Sequence, residues 1–292
     1  MTLTAHSETG QLKSVLLKKA SDAFISETHI EQYWQNLNYT GGPSLTGALT
    51  EYKAFEDLFI SRGIGVLYLP ADNTVNMDSI YCRDASIATN AGMILCNMGK
   101  PARKNEPCAQ KQIFEKSGIP ILGEIIQPGS VEGGDVAWLD EYTLAVGHSY
   151  RTNTEGIRQL KNLLHPLGVS VITVPLPHYK GPSDVFHLMS IISPVAEDIA
   201  VVYSPLMPIT TRNELLSHGY QFIEVPACEF ETMGCNVLAI APGECIMAEG
   251  NPQTQEALEK AGCRITVYRG TEISIKGGGG PTCLTRPLQR LL

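Results

Sequence analysis

A signal that recurs five times along the chain constrains the fold more than any other feature. An amphipathic segment ends at a glycine and an apolar, β-branched run follows at once; the five glycines are Gly63, Gly118, Gly168, Gly219 and Gly262. Glycine adopts the left-handed backbone that commonly ends a helix, so each signal predicts a helix that turns directly into a buried strand. The glycines lie 43 to 55 residues apart, which indicates a structural repeat.

A second apolar pair usually lies between one predicted strand and the next helix. These pairs occupy residues 85–98, 136–149, 198–207 and 236–250, several with turn residues at their centres, and this pattern predicts β-hairpins. Five such ββαβ units close into a ring more naturally than into an open sheet. We therefore predict an α/β fold, a five-bladed propeller around a central site. The alternative is a generic α/β domain whose helices happen to end in glycine.

Composition is that of a globular chain. The 292 residues are 43% hydrophobic and 18% charged, which argues against the disordered, collagen-like and coiled-coil classes. No linker rich in proline or serine and no run of charges divides the sequence. We therefore expect one domain over residues 1–292.

Charge and hydropathy limit the partners. The formal net charge of -8 provides no basic surface for a phosphate backbone or for anionic lipid. No segment approaches the roughly 20 apolar residues of a membrane helix, and the amino terminus lacks the features of a signal peptide. We expect no nucleic-acid partner, no membrane association and a cytoplasmic location.

The cysteines predict reduced thiols and no metal site. The eight are scattered, without a CxxC pair or a Cys/His cluster of zinc-site spacing. Cys283 stands out because it follows four consecutive glycines, Gly277 to Gly280. Ordering four glycines loses unusual backbone entropy, so we expect them to have a function. The sequence after Cys283, LTRPLQRLL, suggests a helix, whose dipole would favour the thiolate.

Two other stretches lie where rigid folds present functional side chains. Residues 129–135, GSVEGGD, place Glu132 and Asp135 around a glycine pair, where a carboxylate can serve as an acid/base or hold a cation; an ordinary turn is the alternative. His187 precedes an apolar run and, taken alone, is more typical of a structural histidine. Cys283, His187 and Glu132 together supply a nucleophile, a general acid/base and an orienting carboxylate. A closed ring would bring them together.

Six strings spread over nearly the whole chain carry a family resemblance. They are YCRDAS (81–86), EGGDV (132–136), GHSYRTN (147–153), HLMSIISPV (187–195), GCNVLAIAP (234–242) and GGGGPTCLTRPL (277–288). Together they resemble the guanidine-modifying enzymes of the pentein fold, which include dimethylarginine dimethylaminohydrolases, arginine and agmatine deiminases, and amidinotransferases. The resemblance implies a five-bladed α/β propeller, a cysteine nucleophile and no metal or organic cofactor.

The resemblance also implies catalytic roles. Cys283 matches the nucleophile that attacks the guanidinium carbon. His187 matches the acid/base that protonates the leaving amine and then activates water. Glu132 matches the carboxylate that orients the histidine or holds a guanidinium nitrogen.

Substrate-binding roles follow in the same way. Asp84 matches the acid that pairs with the guanidinium, a planar cation suited to bidentate carboxylate contacts. Arg151 in SYRTN and Arg103 in KPARKNE resemble arginines that bind the substrate's α-carboxylate; for Arg103 a solvated surface position is the alternative. Asp135 in EGGDV is assigned to substrate binding as well.

Two departures bear on the substrate. Deiminases carry a second guanidinium-binding acid where this chain has Met189, and dimethylaminohydrolases usually carry two neighbouring acids where it has Arg83 and Asp84. The resemblance implies a cofactor-independent hydrolase that cleaves a guanidinium C–N bond of arginine or N-methylated arginine, giving citrulline and an amine through a covalent cysteine intermediate. An arginine deiminase, an arginine or citrulline hydrolase, an amidinotransferase and a non-catalytic pentein-fold binding protein are the alternatives. The expected partner is a small guanidino or ureido amino acid, and a homo-oligomer stays open.

One loop suggests a lid. Residues 35–44, QNLNYTGGPS, precede the first long helix. Paired glycines beside an aromatic residue suit a hinged flap over a small cationic ligand. The alternative is an ordered connection whose Tyr39 packs on the surface.

Overall fold

Short strands dominate the structure, a computed structural model that describes residues 6–292. In chain order they are β1 (Gln11–Leu17), β2 (Gly65–Tyr68), β3 (Ser86–Thr89), β4 (Gly92–Leu95), β5 (Ile121–Glu124), β6 (Val136–Asp140), β7 (Thr143–His148), β8 (Ser170–Pro175), β9 (Ile192–Pro194), β10 (Ile199–Val202), β11 (Gln221–Glu224), β12 (Leu238–Ala241), β13 (Glu244–Ala248), β14 (Arg264–Tyr268) and β15 (Arg286–Leu291). They form five three-stranded sheets.

All five sheets share one topology. In four of them a hairpin of two antiparallel strands is followed by a helix and by a third strand, which pairs parallel with the second strand of the hairpin: β3, β4 and β5; β6, β7 and β8; β9, β10 and β11; β12, β13 and β14. In the fifth sheet, β1 pairs antiparallel with β15 and parallel with β2. The two ends of the chain therefore complete one module together, and the predicted fivefold ββαβ repeat is confirmed.

Helices connect the first two strands of each module to its third strand, except for one short helix that lies between β11 and β12. They are α1 (Ala20–Phe24), α2 (Glu27–Tyr33), α3 (Leu45–Ile60), α4 (Glu106–Lys116), α5 (Thr154–Leu164), α6 (Ile209–Ser217), α7 (Ala227–Phe230) and α8 (Pro252–Lys260). The five predicted glycines follow α3, α4, α5, α6 and α8 and have φ between 68° and 90°, so these predicted turns are confirmed. No helix within residues 6–292 is long and apolar enough to cross a bilayer.

Helix α5 illustrates how the modules hold together. Ile157, Leu160 and Leu164 lie three and four residues apart, and this spacing puts them on one buried face of the helix. The face packs in a single cluster with Val146 of β7 and Ile94 of β4. Because that cluster contains residues of two successive sheets, burying the helix face also joins neighbouring modules.

Three local expectations are wrong. Residues 198–207 do not form a hairpin by themselves: β10 pairs with the preceding β9, and Ser204–Leu206 is a 3₁₀ turn that contains a proline. The strands after the glycines are partly exposed, because each lies at the edge of its sheet. The segment after Cys283 is not helical, because Arg286–Leu291 pairs with β1 and buries Leu288 at 3% exposure.

Candidate active site

A cavity of about 200 Å³ brings together residues that are far apart in the sequence. Five of the seven predicted site residues line it: Asp84, Arg103, Arg151, His187 and Cys283. Glu132 and Asp135 are fully buried behind this wall.

The repeat explains why these side chains meet. Each module contributes one residue from the loop that enters its hairpin, two to five positions before the first strand: Asp84 before β3, Glu132 before β6, His187 before β9, Asn236 before β12 and Cys283 before β15. The five entry loops therefore bring their side chains to a common centre. Asn236 was not predicted as a site residue, although its place in the repeat is equivalent to that of the other four.

His187 is held by a buried carboxylate. Its Nε2 donates to Glu132 Oε2 at 2.8 Å, and its Nδ1 lies 3.9 Å from Asp84 Oδ1. Burial lowers the pKa of His187, but the carboxylates of Asp84, Asp135 and Glu132 outweigh this effect and raise the pKa to about 9. Burial acts to raise the pKa of Glu132, but His187 and Arg151 drive it well below its usual value. The pair is therefore an imidazolium and a carboxylate at neutral pH.

Asp84 presents one free oxygen to the cavity. Its Oδ2 accepts from Arg103 Nη1 at 2.5 Å, and its Oδ1 is buried with no hydrogen-bond partner among the described residues. An unpartnered carboxylate oxygen in a buried site is a costly arrangement unless a ligand donates to it. The cavity is therefore suited to a cation with N–H donors.

All three nitrogen atoms of the Arg103 guanidinium donate hydrogen bonds to other groups of the protein. It donates from Nε and Nη2 to both oxygens of Glu106, at 2.8 and 2.7 Å, and from Nη2 to the carbonyl oxygens of Asp78 and Tyr81. The side chain is 3% exposed, so the surface alternative for Arg103 is wrong. Because Nη1 of Arg103 binds Asp84, these contacts position Asp84; binding of the substrate's carboxylate by Arg103 stays a prediction.

Cys283 lies on the cavity wall in a short turn. Its Sγ accepts from Asn236 Nδ2 at 3.6 Å, while Asn236 Oδ1 accepts from the backbone N–H and the hydroxyl of Thr282 at 3.0 and 2.9 Å. Asn236 therefore ties the thiol to the turn. Burial raises the pKa of Cys283 to about 11, and the Asp84 carboxylate acts in the same direction. The expected depression by a helix N-terminus is absent because no helix follows.

Close packing explains the glycine run before Cys283. A Cβ on Gly277 would overlap the Tyr81 hydroxyl and lie 2.8 Å from the Tyr39 ring, and a Cβ on Gly279 would overlap the Tyr81 ring. A Cβ on Gly280 would overlap the Asn236 amide. The run lets the backbone that carries the thiol pass directly against these side chains.

Gly277→Ala is expected to destabilise the protein by about 1–3 kcal/mol, because the added methyl displaces Tyr81 or the loop. It should also lower turnover by shifting Cys283. Thermal unfolding and steady-state rates measure both effects. Gly41→Ala is the matched control: its Cβ would meet nothing nearer than Lys276 Cε at 4.0 Å, so equal losses in the two variants would contradict this account.

Arg151 and Asp135 have different environments. Arg151 lines the cavity, and its only side-chain hydrogen bonds within residues 6–292 are two of 3.4 Å from Nη1 to Glu132. Asp135 accepts from the Ser149 hydroxyl at 2.6 Å and from the Leu188 N–H at 3.0 Å. Asp135 therefore holds the loops that carry Arg151 and His187 and lies behind the cavity lining; its assignment to substrate binding stays a prediction.

The predicted lid segment 35–44 borders the cavity. Asn38 donates from its side chain to the Ser183 carbonyl at 3.2 Å, and the Thr40 N–H donates to the Lys276 carbonyl at 2.8 Å. Tyr39 is 5% exposed and packs in the core, so the surface-packing alternative is wrong. Opening of this loop stays a prediction.

Asp84, Glu132 and His187 also form the one cluster of three potential metal-ligating side chains found within residues 6–292, with ligand atoms within 4.8 Å of one another. Arg103 contacts Asp84 and Arg151 contacts Glu132. Each of the two carboxylates therefore already has a guanidinium neighbour, which makes the cluster less suited to a metal ion than one of uncompensated acids.

Known proteins resemble this chain in sequence and fold. A family model described as N,N-dimethylarginine dimethylhydrolase, eukaryotic, matches residues 22–290. An N(G),N(G)-dimethylarginine dimethylaminohydrolase from Streptomyces coelicolor is 26% identical over 84% of this chain and 87% of its own. An arginine deiminase from Listeria welshimeri is 27% identical over 72% of this chain and 61% of its own, so the chain spans about three fifths of that deiminase.

A solved structure extends the likeness to the fold. It is a dimethylarginine dimethylaminohydrolase from Pseudomonas aeruginosa in complex with citrulline, 22% identical, with 96% of this chain and 100% of that chain covered and a TM-score of 0.74. The two chains share the pentein fold.

Proposed function

Because the chain belongs to the N,N-dimethylarginine dimethylhydrolase family, we propose that it hydrolyses a guanidinium C–N bond through a covalent intermediate on Cys283. The observation that carries this proposal is one cavity that holds the Cys283 thiol, the His187 imidazolium and the unpartnered Oδ1 of Asp84. A nucleophile, a proton donor and a carboxylate aimed at a cation are the groups that this reaction needs. A non-catalytic binding protein has no use for the set.

The guanidinium group binds Asp84 and prepares the nucleophile. A guanidinium N–H donates to the free Oδ1 and neutralises the carboxylate that helps to keep the Cys283 pKa at about 11. The cation itself then lies beside the thiol. Both effects lower the pKa of Cys283 in the complex, so the thiol loses its proton to solvent and the thiolate forms when the substrate is bound.

The reaction then proceeds in two halves. The thiolate attacks the guanidinium carbon to give a tetrahedral adduct, and His187 donates its proton to the departing amine as the C–N bond breaks. The neutral His187 next removes a proton from water as the water oxygen attacks the thiouronium carbon; the second tetrahedral adduct then expels the thiolate, and its hydroxyl proton passes to solvent to leave a neutral ureido product. Glu132 keeps the imidazole oriented and stabilises the imidazolium each time it forms.

One residue of the cavity lining favours an N-methylated guanidinium. Met189, which is 2% exposed, lines the cavity where deiminases carry a second acid, and a thioether packs against methyl groups without requiring an N–H donor. A product screen tests this choice: arginine, methylated arginines, agmatine and citrulline, with ammonia, methylamines and urea measured together. Methylamine release supports the proposal. Ammonia from arginine at a higher kcat/KM favours an arginine deiminase, urea from citrulline favours a citrulline hydrolase, and turnover that requires an amine acceptor favours an amidinotransferase.

Arg151→Lys tests the carboxylate end of the substrate. Nε and Nη2 of Arg151 make no hydrogen bond within residues 6–292, which leaves a planar fork for a bidentate carboxylate. An ammonium cannot reproduce that fork. We expect KM to rise about tenfold or more for carboxylate-bearing substrates, with little change in kcat. Agmatine lacks the carboxylate, so wild-type activity on agmatine equal to that on arginine would argue against this role.

A further inference from the structure

Two arginines are buried together where three modules meet. Arg83, just before β3, is fully buried, and Arg286 of β15 is 4% exposed. Arg83 Nη2 donates to the Val136 carbonyl of β6 at 3.2 Å, and Arg286 Nη1 donates to the Ser86 carbonyl of β3 at 2.8 Å. Strands β3, β6 and β15 occupy the same place in their modules, so the two side chains bridge three modules. We call Arg83, Arg286 and the neighbouring Glu8 the basic core.

The basic core contains more positive than negative charge. Arg83 Nη2 donates to Glu8 Oε1 at 2.6 Å, and Glu8 is also the carboxylate that acts on the pKa of Arg286. Arg286 forms no ion pair with any residue in the range 6–292, and the sequence of residues 1–5, MTLTA, contains no acid. Two guanidinium groups therefore share one carboxylate, and at least one buried positive charge lacks a counter-charge. Such a charge is costly in a protein interior.

Both arginines also have unused N–H donors. Among the described residues, Nε and Nη1 of Arg83 and Nε of Arg286 are buried without a hydrogen-bond partner. Burial and, after it, the Arg83 cation lower the pKa of Arg286 to about 9, which leaves both groups charged at neutral pH. Arg83 acts on Arg286 more strongly than Glu8 does, so the two guanidinium groups lie close together. Water can accept their free N–H groups, but an anion between them also supplies the missing negative charge.

We propose that the basic core binds a small monovalent anion of the halide class, held between the free N–H donors of Arg83 and Arg286. The site lies outside the cavity, because neither arginine lines it. It is nevertheless next to the nucleophile loop: the Arg83 N–H donates to the Cys283 carbonyl at 3.1 Å, and Arg83 Nη2 contacts Met189 Sδ at 3.8 Å. The anion is a structural counter-ion beneath the active site and takes no part in the reaction.

Bromide locates the site directly. Bromide replaces chloride in a halide site and is identified by its anomalous X-ray scattering. Crystals of the full chain soaked in sodium bromide should show an anomalous peak within hydrogen-bond distance of the guanidinium groups of Arg83 and Arg286. Density at this position without an anomalous signal would identify water and overturn the proposal. Bromide peaks confined to the molecular surface would overturn it as well.

Thermal unfolding measures the effect of the anion on stability. A ligand that binds only the folded protein stabilises it in proportion to the logarithm of its concentration above the dissociation constant. We expect the Tm of the full chain to rise by about 2–4 °C for each tenfold increase in sodium chloride above that constant. Sodium gluconate at equal ionic strength is the control salt, because its anion is too large for a buried site. Equal rises in the two salts would overturn the proposal.

Two variants should change the chloride dependence of Tm in opposite directions. Arg286→Met removes one donor and one positive charge, so the dependence should fall to less than half. Glu8→Gln removes the carboxylate of the basic core, so chloride should stabilise this variant more than the wild type. Arg158→Met is the matched control, since Arg158 is an exposed arginine of α5 paired with Glu155, and it should keep the wild-type dependence.

Either core variant is informative alone if the other does not fold. A wild-type chloride dependence in Arg286→Met or in Glu8→Gln would overturn the proposal, and so would a change in the opposite direction from the one expected. None of these measurements uses turnover, so the anion site and the proposed hydrolysis fail independently of each other.

Discussion

Cys283→Ser is expected to lower kcat by at least about 10³-fold while the protein stays folded, because an alcohol cannot supply the thiolate that attacks the guanidinium carbon. The turn around the residue should persist, since Asn236 binds Thr282 as well as the thiol. Steady-state formation of the ureido product, together with thermal unfolding, measures the two effects. Mass spectrometry of the wild type during turnover should detect an adduct at Cys283 that the variant lacks.

Cys235→Ser is the matched control for this experiment. Cys235 also lines the cavity, but its Sγ donates to the Val201 carbonyl at 3.7 Å and burial holds the pKa of its thiol far above the usual range. A serine hydroxyl can make the same contact, so the rate should stay near that of the wild type. If Cys283→Ser retained more than a small fraction of wild-type activity, or if the adduct appeared at Cys235, Cys283 would not be the nucleophile.

Local physical signals were sufficient to predict the repeat. A helix that ends at a left-handed glycine depends on a few neighbouring residues, and Gly63 and Gly262 adopt that conformation just as Gly168 does. The hairpins at 85–98, 136–149 and 236–250 likewise follow from runs that pair across a short turn. Each of these elements satisfies its own hydrogen bonds within one module, so sequence patterns carry the information.

Elements with distant partners escaped prediction. Arg286–Leu291 becomes a strand because β1, at the opposite end of the chain, provides its hydrogen bonds. The hydrogen bonds of Arg103 could not be predicted because one partner, Asp84, lies on the other side of the β3–β4 hairpin in the sequence. The contacts of Lys100 could not be predicted either, because only the tertiary fold brings its partners, Asp78 and the Leu37 carbonyl, close to it. Charge pairing across modules is the information that the sequence pattern lacks.

His187→Ala is expected to lower kcat by about 10²- to 10⁴-fold, because the departing amine loses its proton donor and the attacking water loses its base. The pH profile carries a second signature. In the wild type the carboxylates around His187 overcome the effect of burial and raise its pKa to about 9, so the imidazolium that donates the proton is present below that pH and is lost above it. Turnover should therefore fall as the pH rises through about 9, and the variant should lack this alkaline limb.

A structural role for His187 predicts a different outcome. The imidazole contacts Glu132, which also accepts from the Lys100 N–H, so its removal disturbs a buried carboxylate and lowers the melting temperature whatever its role. His187→Gln is the informative companion, because a side-chain amide can still donate to Glu132 but cannot transfer a proton near neutral pH. We expect His187→Gln to recover stability and not activity. If His187→Gln recovered activity as well as stability, the proton donor would have to be another group. The same conclusion would follow if the alkaline limb of the pH profile persisted in His187→Ala or His187→Gln.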